Sequence, residues 1–311
     1  MTLTGRQLAI ITPTKGRHKQ LSAMLEKLSL QTVKPGQIII ADGGRDAGNV
    51  VAVYQGFLPV HWLDCPNPGQ VIQRNLALTY LEDEIRAVLY LDDDIQLEPD
   101  AIENLLEFWN SKPREPAGVS LNLTNMPQQP DNFYRHLFFM ATDKKGRVHK
   151  SGYNTPIVGL NESIESQWLI GGATCWRRDI LRNFRNQEIP SRWAITEDLM
   201  FSYPVHKAGE NLFVCASAKG AHIDDTPTET FKAGIFRGNS AVLWRYLFVI
   251  AHAELSSPMF FWMVLGQIPG RIAQGVTGKW WHFGYALGYA KGVLTCLRSI
   301  LTGSDIRAYL D

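Results

Sequence analysis

Residues 87–94 read Ala-Val-Leu-Tyr-Leu-Asp-Asp-Asp, a five-residue apolar run that passes directly into three consecutive carboxylates. A short apolar run without alternation is the pattern of a strand buried on both faces. Two similar runs precede it: residues 8–12 (LAIIT) stop at Pro13, and residues 37–41 (QIIIA) stop at Asp42-Gly43-Gly44. Between these two, Leu21, Met24, Leu25 and Leu28 fall at helical spacing, and Lys34-Pro35-Gly36 closes the helix. Residues 60–63 read as a short further strand. Pro68-Gly69 turns into a helix over 70–81, and Pro99-Asp100 opens another that runs to Trp109. Strands alternating with helices predict an α/β fold with a doubly wound, mostly parallel sheet. In such sheets ligands sit beyond the carboxyl ends of the strands. Pro13-Thr14, Asp42 and Asp92-Asp93-Asp94 all fall there and are expected to converge on one crevice.

Further along, residues 116–165 are irregular, with strand-like pieces at 118–123 and 135–142. Residues 167–176 read as a strand interrupted by Gly171-Gly172. Thr196-Glu197-Asp198 starts a helix ending near Gly209, and residues 212–216 form a strand leading to His222. The expected organisation is a first half over 1–115, a second half of the same domain over 116–230, and a helical region over 231–311.

The chain has 311 residues, 45% hydrophobic and 20% charged, enough for a sizeable core. Its net charge of +1 gives no global basic field, so no nucleic-acid partner is expected. The charge is unevenly spread. Residues 231–311 hold eight Lys/Arg against three acids, or +5, which leaves −4 for residues 1–230. The four cysteines show no CxxC pair or zinc spacing and read as separate thiols of a reducing compartment. The apolar run at the start is too short for a secretory signal. The chain is therefore expected to be cytoplasmic.

Three adjacent carboxylates repel one another and favour partial protonation unless a cation compensates. Hard oxygen ligands suit Mg²⁺ or Mn²⁺, with a diphosphate completing the shell. If the strand geometry persists through the triplet, Asp92 and Asp94 point one way and Asp93 the other. A solvated acidic loop before a helix, or a calcium site, is an equally simple reading of these three residues alone.

The ordered series IITPTKGR (10–17), IIIADGG (38–44), NPGQVIQRN (67–75), LYLDDD (89–94), GG (171–172) and TEDL (196–199) resembles a family 2 glycosyltransferase of the GT-A fold. The resemblance covers roughly residues 8–225. It implies that Pro13, Thr14, Arg17 and Asp42 contact the base and ribose of a nucleotide-sugar donor, and that Arg74-Asn75 hold its nucleotide. Within the triplet it places Asp92 near the ribose and sugar and Asp94 on a divalent metal, Mn²⁺ or Mg²⁺, with Asp93 counted in the same donor-binding element but turned away. The Glu197-Asp198 pair corresponds to the family's catalytic element, with Asp198 the general base toward the acceptor hydroxyl. For Glu197-Asp198 the structural alternative is a helix start capped by Thr196 with acids in its first turn. His222 matches a region where some members place a metal-binding histidine, and an imidazole ligand would favour Mn²⁺; a satisfied loop histidine is the alternative. Gly171 and Gly172 would let backbone approach the donor sugar or acceptor. Trp168 and Trp193 could stack on a sugar or pack in the core.

The stretch 235–246 resembles the arginine-containing helix that follows the catalytic domain in bacterial non-processive members, with Arg237 toward the diphosphate. The QxxRW signature of processive synthases is absent. In 246–265, which approaches membrane-span length, His252, Glu254 and Pro258 argue against a simple span. In 280–302 the positions 284, 288, 291, 295, 298 and 302 form a stripe of Gly, Gly, Lys, Thr, Arg and Thr opposite an aromatic and aliphatic side. That pattern predicts a C-terminal extension on a membrane surface with the stripe toward headgroups; packing on the catalytic domain or a homo-oligomer contact is the alternative. The resemblance thus implies an inverting, non-processive transferase at the inner face of the cell membrane, acting on a glycan or lipid-linked acceptor. A non-catalytic scaffold on the same fold is the second reading. A sugar nucleotidyltransferase is a third, for which PTKGR stands where a GxGxR-type loop is expected.

Overall fold

The computed structural model describes residues 2–127, 129–189, 195–223 and 230–310. Trp193 lies outside the described residues. The chain divides into two compact units, the first made of 1–128, 157–188 and 201–224 and the second of 129–156, 189–200 and 225–311.

The first unit holds the sheet. Its strands are β1 (Leu8–Thr14), β2 (Gln37–Asp42), β3 (Val60–Asp64), β4 (Ala87–Leu91), β5 (Ile95–Leu97), β6 (Gly118–Leu123), β7 (Ile164–Glu165), β8 (Ala173–Arg177) and β9 (Leu212–His222). Among the described residues they form one sheet in the order β3-β2-β1-β4-β8-β6-β9-β5, with β7 on β9. β1, β2, β3 and β4 pair in parallel, whereas β8 is antiparallel to both β4 and β6. This is a mixed, mostly parallel, helix-covered sheet of the kind the sequence predicts. Every residue of β1, β2, β4 and β6 is buried, so the unbroken apolar runs are sandwiched between layers rather than alternating toward solvent.

Helices α1 (His18–Ser29), α2 (Gly48–Tyr54), α3 (Gln70–Ala77) and α4 (Ala101–Asn110) follow these strands. Leu21, Met24, Leu25 and Leu28 of α1 are fully buried, as their spacing requires. The interrupted strand expected over 167–176 starts only at Ala173, because Gly171-Gly172 forms a turn before it.

The second unit is helical. Residues 135–142, expected to be strand-like, instead enter α5 (Phe133–Leu137), whose first turn is capped when Asn132 Oδ1 accepts from the Arg135 N–H at 3.0 Å. The apolar residues there pack at helical spacing: the Tyr134 and Phe138 rings meet at 4.8 Å, and Phe138 stacks on Trp262 at 5.0 Å. In chain order, α6 (Arg178–Asn183) belongs to the first unit, and the boundary between the units falls within α7 (Glu197–Lys207).

Helices α8 (Phe231–Ile250), α9 (Ser257–Val276) and α10 (His282–Thr302) complete the second unit. The apolar stretch 246–265 is divided by the break between α8 and α9. Among the described residues no helix is long and apolar enough to cross a membrane. The two glycines of the α10 stripe correct the sequence expectation, while Lys291, Arg298 and Thr302 are exposed. Gly284 and Gly288 do not face outward; they are buried against α8, where a Cβ on either would collide with the backbone of Phe231 or Ile235. Gly234 and Gly238 of α8 meet α10 in the same way. The small residues form the seam that lets two helix backbones approach, and Phe283, Leu287, Leu294 and Leu301 are left exposed.

Candidate active site

The parallel register brings the expected residues together. Thr14 pairs with Asp42 across β1 and β2, and Ile11 pairs with Tyr90 across β1 and β4, which sets Thr14 level with the acidic triplet. The triplet is a turn rather than strand: β4 ends at Leu91, and the Ile95 N–H donates back to the Asp92 carbonyl at 3.1 Å. The pleat alternation therefore stops before it, and the three carboxylates go three ways.

Asp92 is held by α3. Arg74 Nη2 donates to Asp92 Oδ1 at 2.7 Å, and Gln70 Nε2 approaches both carboxylate oxygens at 3.0 and 3.2 Å. Arg74 is 1% exposed, its guanidinium 5.1 Å from the centre of the Tyr90 ring. A Cβ on Gly172 would strike the Asp92 carboxylate, so glycine is required where the Gly172 carbonyl takes the Asp92 N–H at 2.9 Å. Gly171 precedes it in the same turn.

Asp93 points into the interior. Thr14 Oγ1 donates to it at 2.6 Å and Arg17 Nη1 lies 2.9 Å from its other oxygen. Burial pushes this carboxyl up to about 6, against the opposing influence of Thr14 and Arg17. Arg17 also reaches Asp94 Oδ2 at 2.9 Å. It can fold back because Gly16, at φ +65°, turns the chain out of β1. Asp94 Oδ2 lies 3.4 Å from His222 Nε2. Burial works against the Asp94 charge, but His222 and Arg17 outweigh it and hold the carboxyl below its ordinary value. His222 arrives by register, paired with Ile95 across β5 and β9, and Asn125 clamps its backbone N–H and carbonyl at 2.9 and 2.7 Å. Arg17 and Arg74 are thus the cations that compensate the triplet.

Asp42 is fully buried. Its carboxylate accepts from the N–H groups of Gly44, Asp46 and Ala47 and from the Trp62 indole at 2.7–3.0 Å. Burial opposes its charge, but the backbone N–H groups and the indole together hold its carboxyl below the ordinary value. Pro13 is buried in β1. Asn75 is not brought to the triplet. One position past Arg74 on α3, it donates to the Asn186 carbonyl and Glu188 Oε1 at 3.1 and 2.7 Å. Trp168 is buried in the first unit. Two glutamines of the NPGQVIQRN motif brace the site, and reading by residue type missed them. Gln70 holds Asp92, and Gln73 ties β1 to β2 by donating to the Thr14 and Ala41 carbonyls at 2.9 and 2.6 Å. Their spacing with Arg74, at i, i+3 and i+4, puts all three on one helix face and was the available signal.

Glu197 and Asp198 open α7 within the second unit, and Asp198 Oδ1 accepts from the Leu199 N–H at 2.8 Å. Thr196 does not cap this helix. It sits at φ +85°, and among the described residues its buried hydroxyl has no hydrogen-bond partner. A β-branched residue in the left-handed region is strained, and strain of this kind concentrates at functional sites. In the same unit Arg245 donates to the Gly152 carbonyl at 2.6 Å and to Asn154 Oδ1 at 2.9 Å. Burial disfavours its charge, while Tyr153 and Asp198 favour it. Arg237 is half-buried on α8.

The model of the family described as "Glycosyl transferase family 2" matches residues 9–183, more than half of the chain. The chain belongs to glycosyl transferase family 2. The family match takes in every site residue from Pro13 to Gly172 and ends before Glu197, Asp198 and His222. A relative is the O-antigen chain rhamnosyltransferase RfbN of Salmonella typhimurium, 22% identical over 245 residues, covering 77% of this chain and 75% of that protein. Among solved structures the fold is similar to the mannosyltransferase PcManGT from Pyrobaculum calidifontis, in complex with GDP-Man and Mn²⁺. That match has a TM-score of 0.54 at 16% identity and covers 98% of this chain and 84% of that one. TarS 1–349 from S. aureus gives a TM-score of 0.54 at 14% identity, covering 96% and 92% of the two chains.

The family fold implies a divalent cation, and the donor set can be tested against one. Asp94 and His222 offer a carboxylate and an imidazole 3.4 Å apart. Among the described residues no group of three or more His, Cys, Asp or Glu is placed to hold a metal ion. A half-shell of this kind suits Mn²⁺ or Mg²⁺ that takes its remaining ligands from diphosphate and water, so the residues fit the ion.

Proposed function

We propose that this family 2 glycosyltransferase moves a sugar from a nucleotide-sugar donor to a glycan or lipid-linked acceptor, with inversion and one residue at a time. The observation that carries the donor reading is the acidic turn at the end of β4, held open by Arg17 and Arg74 with His222 beside Asp94. In this reading Pro13, Thr14 and Arg17 frame the nucleoside. Asp42 orders the 43–47 loop beside them through its backbone hydrogen bonds. Arg74, Gln70 and Gly172 fix Asp92 for the ribose and sugar, and Asn75 anchors α3 to the 186–188 segment. Asp94 and His222 would hold Mn²⁺ or Mg²⁺, which when bound neutralises charge on the departing diphosphate.

Asp198 is the proposed general base, with Glu197 beside it at the start of α7. The acceptor oxygen attacks the anomeric carbon on the face opposite the diphosphate. The bond to the phosphate oxygen breaks with its electron pair on that oxygen, and the acceptor proton passes to Asp198. The strained Thr196 supports this reading, since a β-branched residue in the left-handed region is uncommon and such strain concentrates at functional sites. Residues 231–311, at +5, are proposed to rest on the inner face of the cell membrane. The relative named for O-antigen chain synthesis supports an acceptor in a cell-envelope polysaccharide. Asp198→Asn is expected to bind donor normally and to lose transfer by about 10²-fold or more, since general-base catalysis contributes ~10²–10⁴. A normal transfer rate in this variant would remove Asp198 from the role.

A further inference from the structure

Two apolar stripes remain uncovered on the C-terminal helices. On α9, Pro258, Trp262, Leu265, Pro269, Ile272 and Val276 recur at alternating spacings of four and three, so they share one face. Trp262, Leu265, Ile272 and Val276 are 44, 49, 44 and 73% exposed. On α10 the exposed positions 283, 287, 291, 294, 298 and 301 read Phe, Leu, Lys, Leu, Arg, Leu, with Leu294 at 66% and Leu301 at 86%. Trp280 is exposed in the connection between the two helices.

The charge pattern identifies what covers them. Residues 255–304 contain no Asp or Glu and four basic residues, Arg271, Lys279, Lys291 and Arg298. Arg271 is engaged internally, against His282 Nδ1 at 3.2 Å and over the Tyr285 ring at 4.6 Å. Lys279, Lys291 and Arg298 are exposed beside the apolar stripes. A second copy of this face would set Lys291 and Arg298 against their own kind with no acid to pair them. An anionic headgroup layer matches both features, taking the leucines and tryptophans among its acyl chains and the ammonium and guanidinium groups on its phosphates. The depth is limited too. Pro269 supplies no N–H to α9, so the carbonyl four residues back needs a donor that headgroup water provides and hydrocarbon does not.

We infer that the exposed faces of α9 and α10 are the surface by which this protein seats itself in the headgroup layer of an anionic bilayer, lying in the interface rather than across it. This rests on the membrane reading given above and names the surface responsible. The test is co-sedimentation of the full chain with vesicles of phosphatidylcholine alone or mixed with phosphatidylglycerol. It compares the unaltered protein with Leu265→Asp/Ile272→Asp and with Lys291→Glu/Arg298→Glu. These positions are exposed, and each variant is checked for an unchanged Tm and an unchanged nucleotide-sugar thermal shift. The unaltered protein should bind the mixed vesicles and lose binding as salt rises. The apolar pair should lose binding about tenfold or more, and the charge-reversed pair should lose the preference for phosphatidylglycerol. If the unaltered protein binds neither vesicle, the membrane reading fails with this inference, while transfer to a soluble acceptor tests the enzyme separately. If it binds and both variants bind equally well, the membrane reading stands and this surface is wrong. If the protein is a dimer that the substitutions dissociate and no vesicle is bound, the stripes meet a second copy and the inference is overturned.

Discussion

Arg74 is a buried guanidinium of the first unit that holds Asp92. Its partner Asp92 is 27% exposed, so removing the guanidinium leaves a carboxylate that water compensates in part. Arg74→Met is expected to cost about 1–3 kcal/mol of stability, read as a lowered midpoint in denaturant titration. Asp42 gives a pH signature. Its folded carboxyl is held below the ordinary value, so its contribution is present above the unfolded carboxylate pKa and is lost as pH falls through the lower folded value. Asp42→Asn should lose about 1–3 kcal/mol at neutral pH, because the amide sets an NH₂ against backbone donors. Its acid-unfolding limb should be flatter than that of the unaltered protein. At this scale the sequence revealed residue types but not partners. The aspartates were legible as a charged cluster, whereas Arg17 and Arg74, distant in sequence, could not be recognised as their counter-charges. The left-handed Thr196 left no trace in composition or spacing.

At the scale of elements, the fully buried strands were the most legible, because an unbroken apolar run has few other places to go. The elements left unread are short. β5 has three residues and β7 two, and α2 and α6 are too brief to show a period. The error on α10 is more instructive. In the stripe Gly, Gly, Lys, Thr, Arg, Thr, the residues Lys291, Arg298 and Thr302 are exposed as read, whereas Gly284 and Gly288 lie where two helix backbones come closest. Gly288→Val places side-chain atoms against the Ile235 carbonyl of α8. It should destabilise the second unit by roughly 1–3 kcal/mol or more, the range for overpacking, detected as a lowered Tm. The same substitution at Gly303, which has open space around it and terminates α10 at φ +66°, acts through backbone strain alone.

On the scale of the whole molecule, the net charge of +1 conceals opposite halves, −4 over residues 1–230 and +5 beyond. The negative part contains the acidic turn Asp92–Asp94 and the positive part the helices with exposed apolar stripes. The family and its ordered motifs were legible from the sequence because several of them lie at the carboxyl ends of the unbroken apolar strands β1, β2 and β4. The donor sugar, the nucleotide and the acceptor were not, since they depend on pocket walls assembled from residues far apart in the chain. The central claim is that a nucleotide-sugar binds at Asp92–Asp94 with a divalent ion and that Asp198 acts only in transfer. Thermal shift with UDP-, GDP- and dTDP-sugars, each with and without Mn²⁺, tests it most directly on the unaltered protein, Asp94→Ala and Asp198→Asn. At least one donor should raise the Tm of the unaltered protein and of Asp198→Asn in the presence of Mn²⁺, and Asp94→Ala should lose that Mn²⁺-dependent rise. No shift with any donor, or the full shift in Asp94→Ala, would contradict the account.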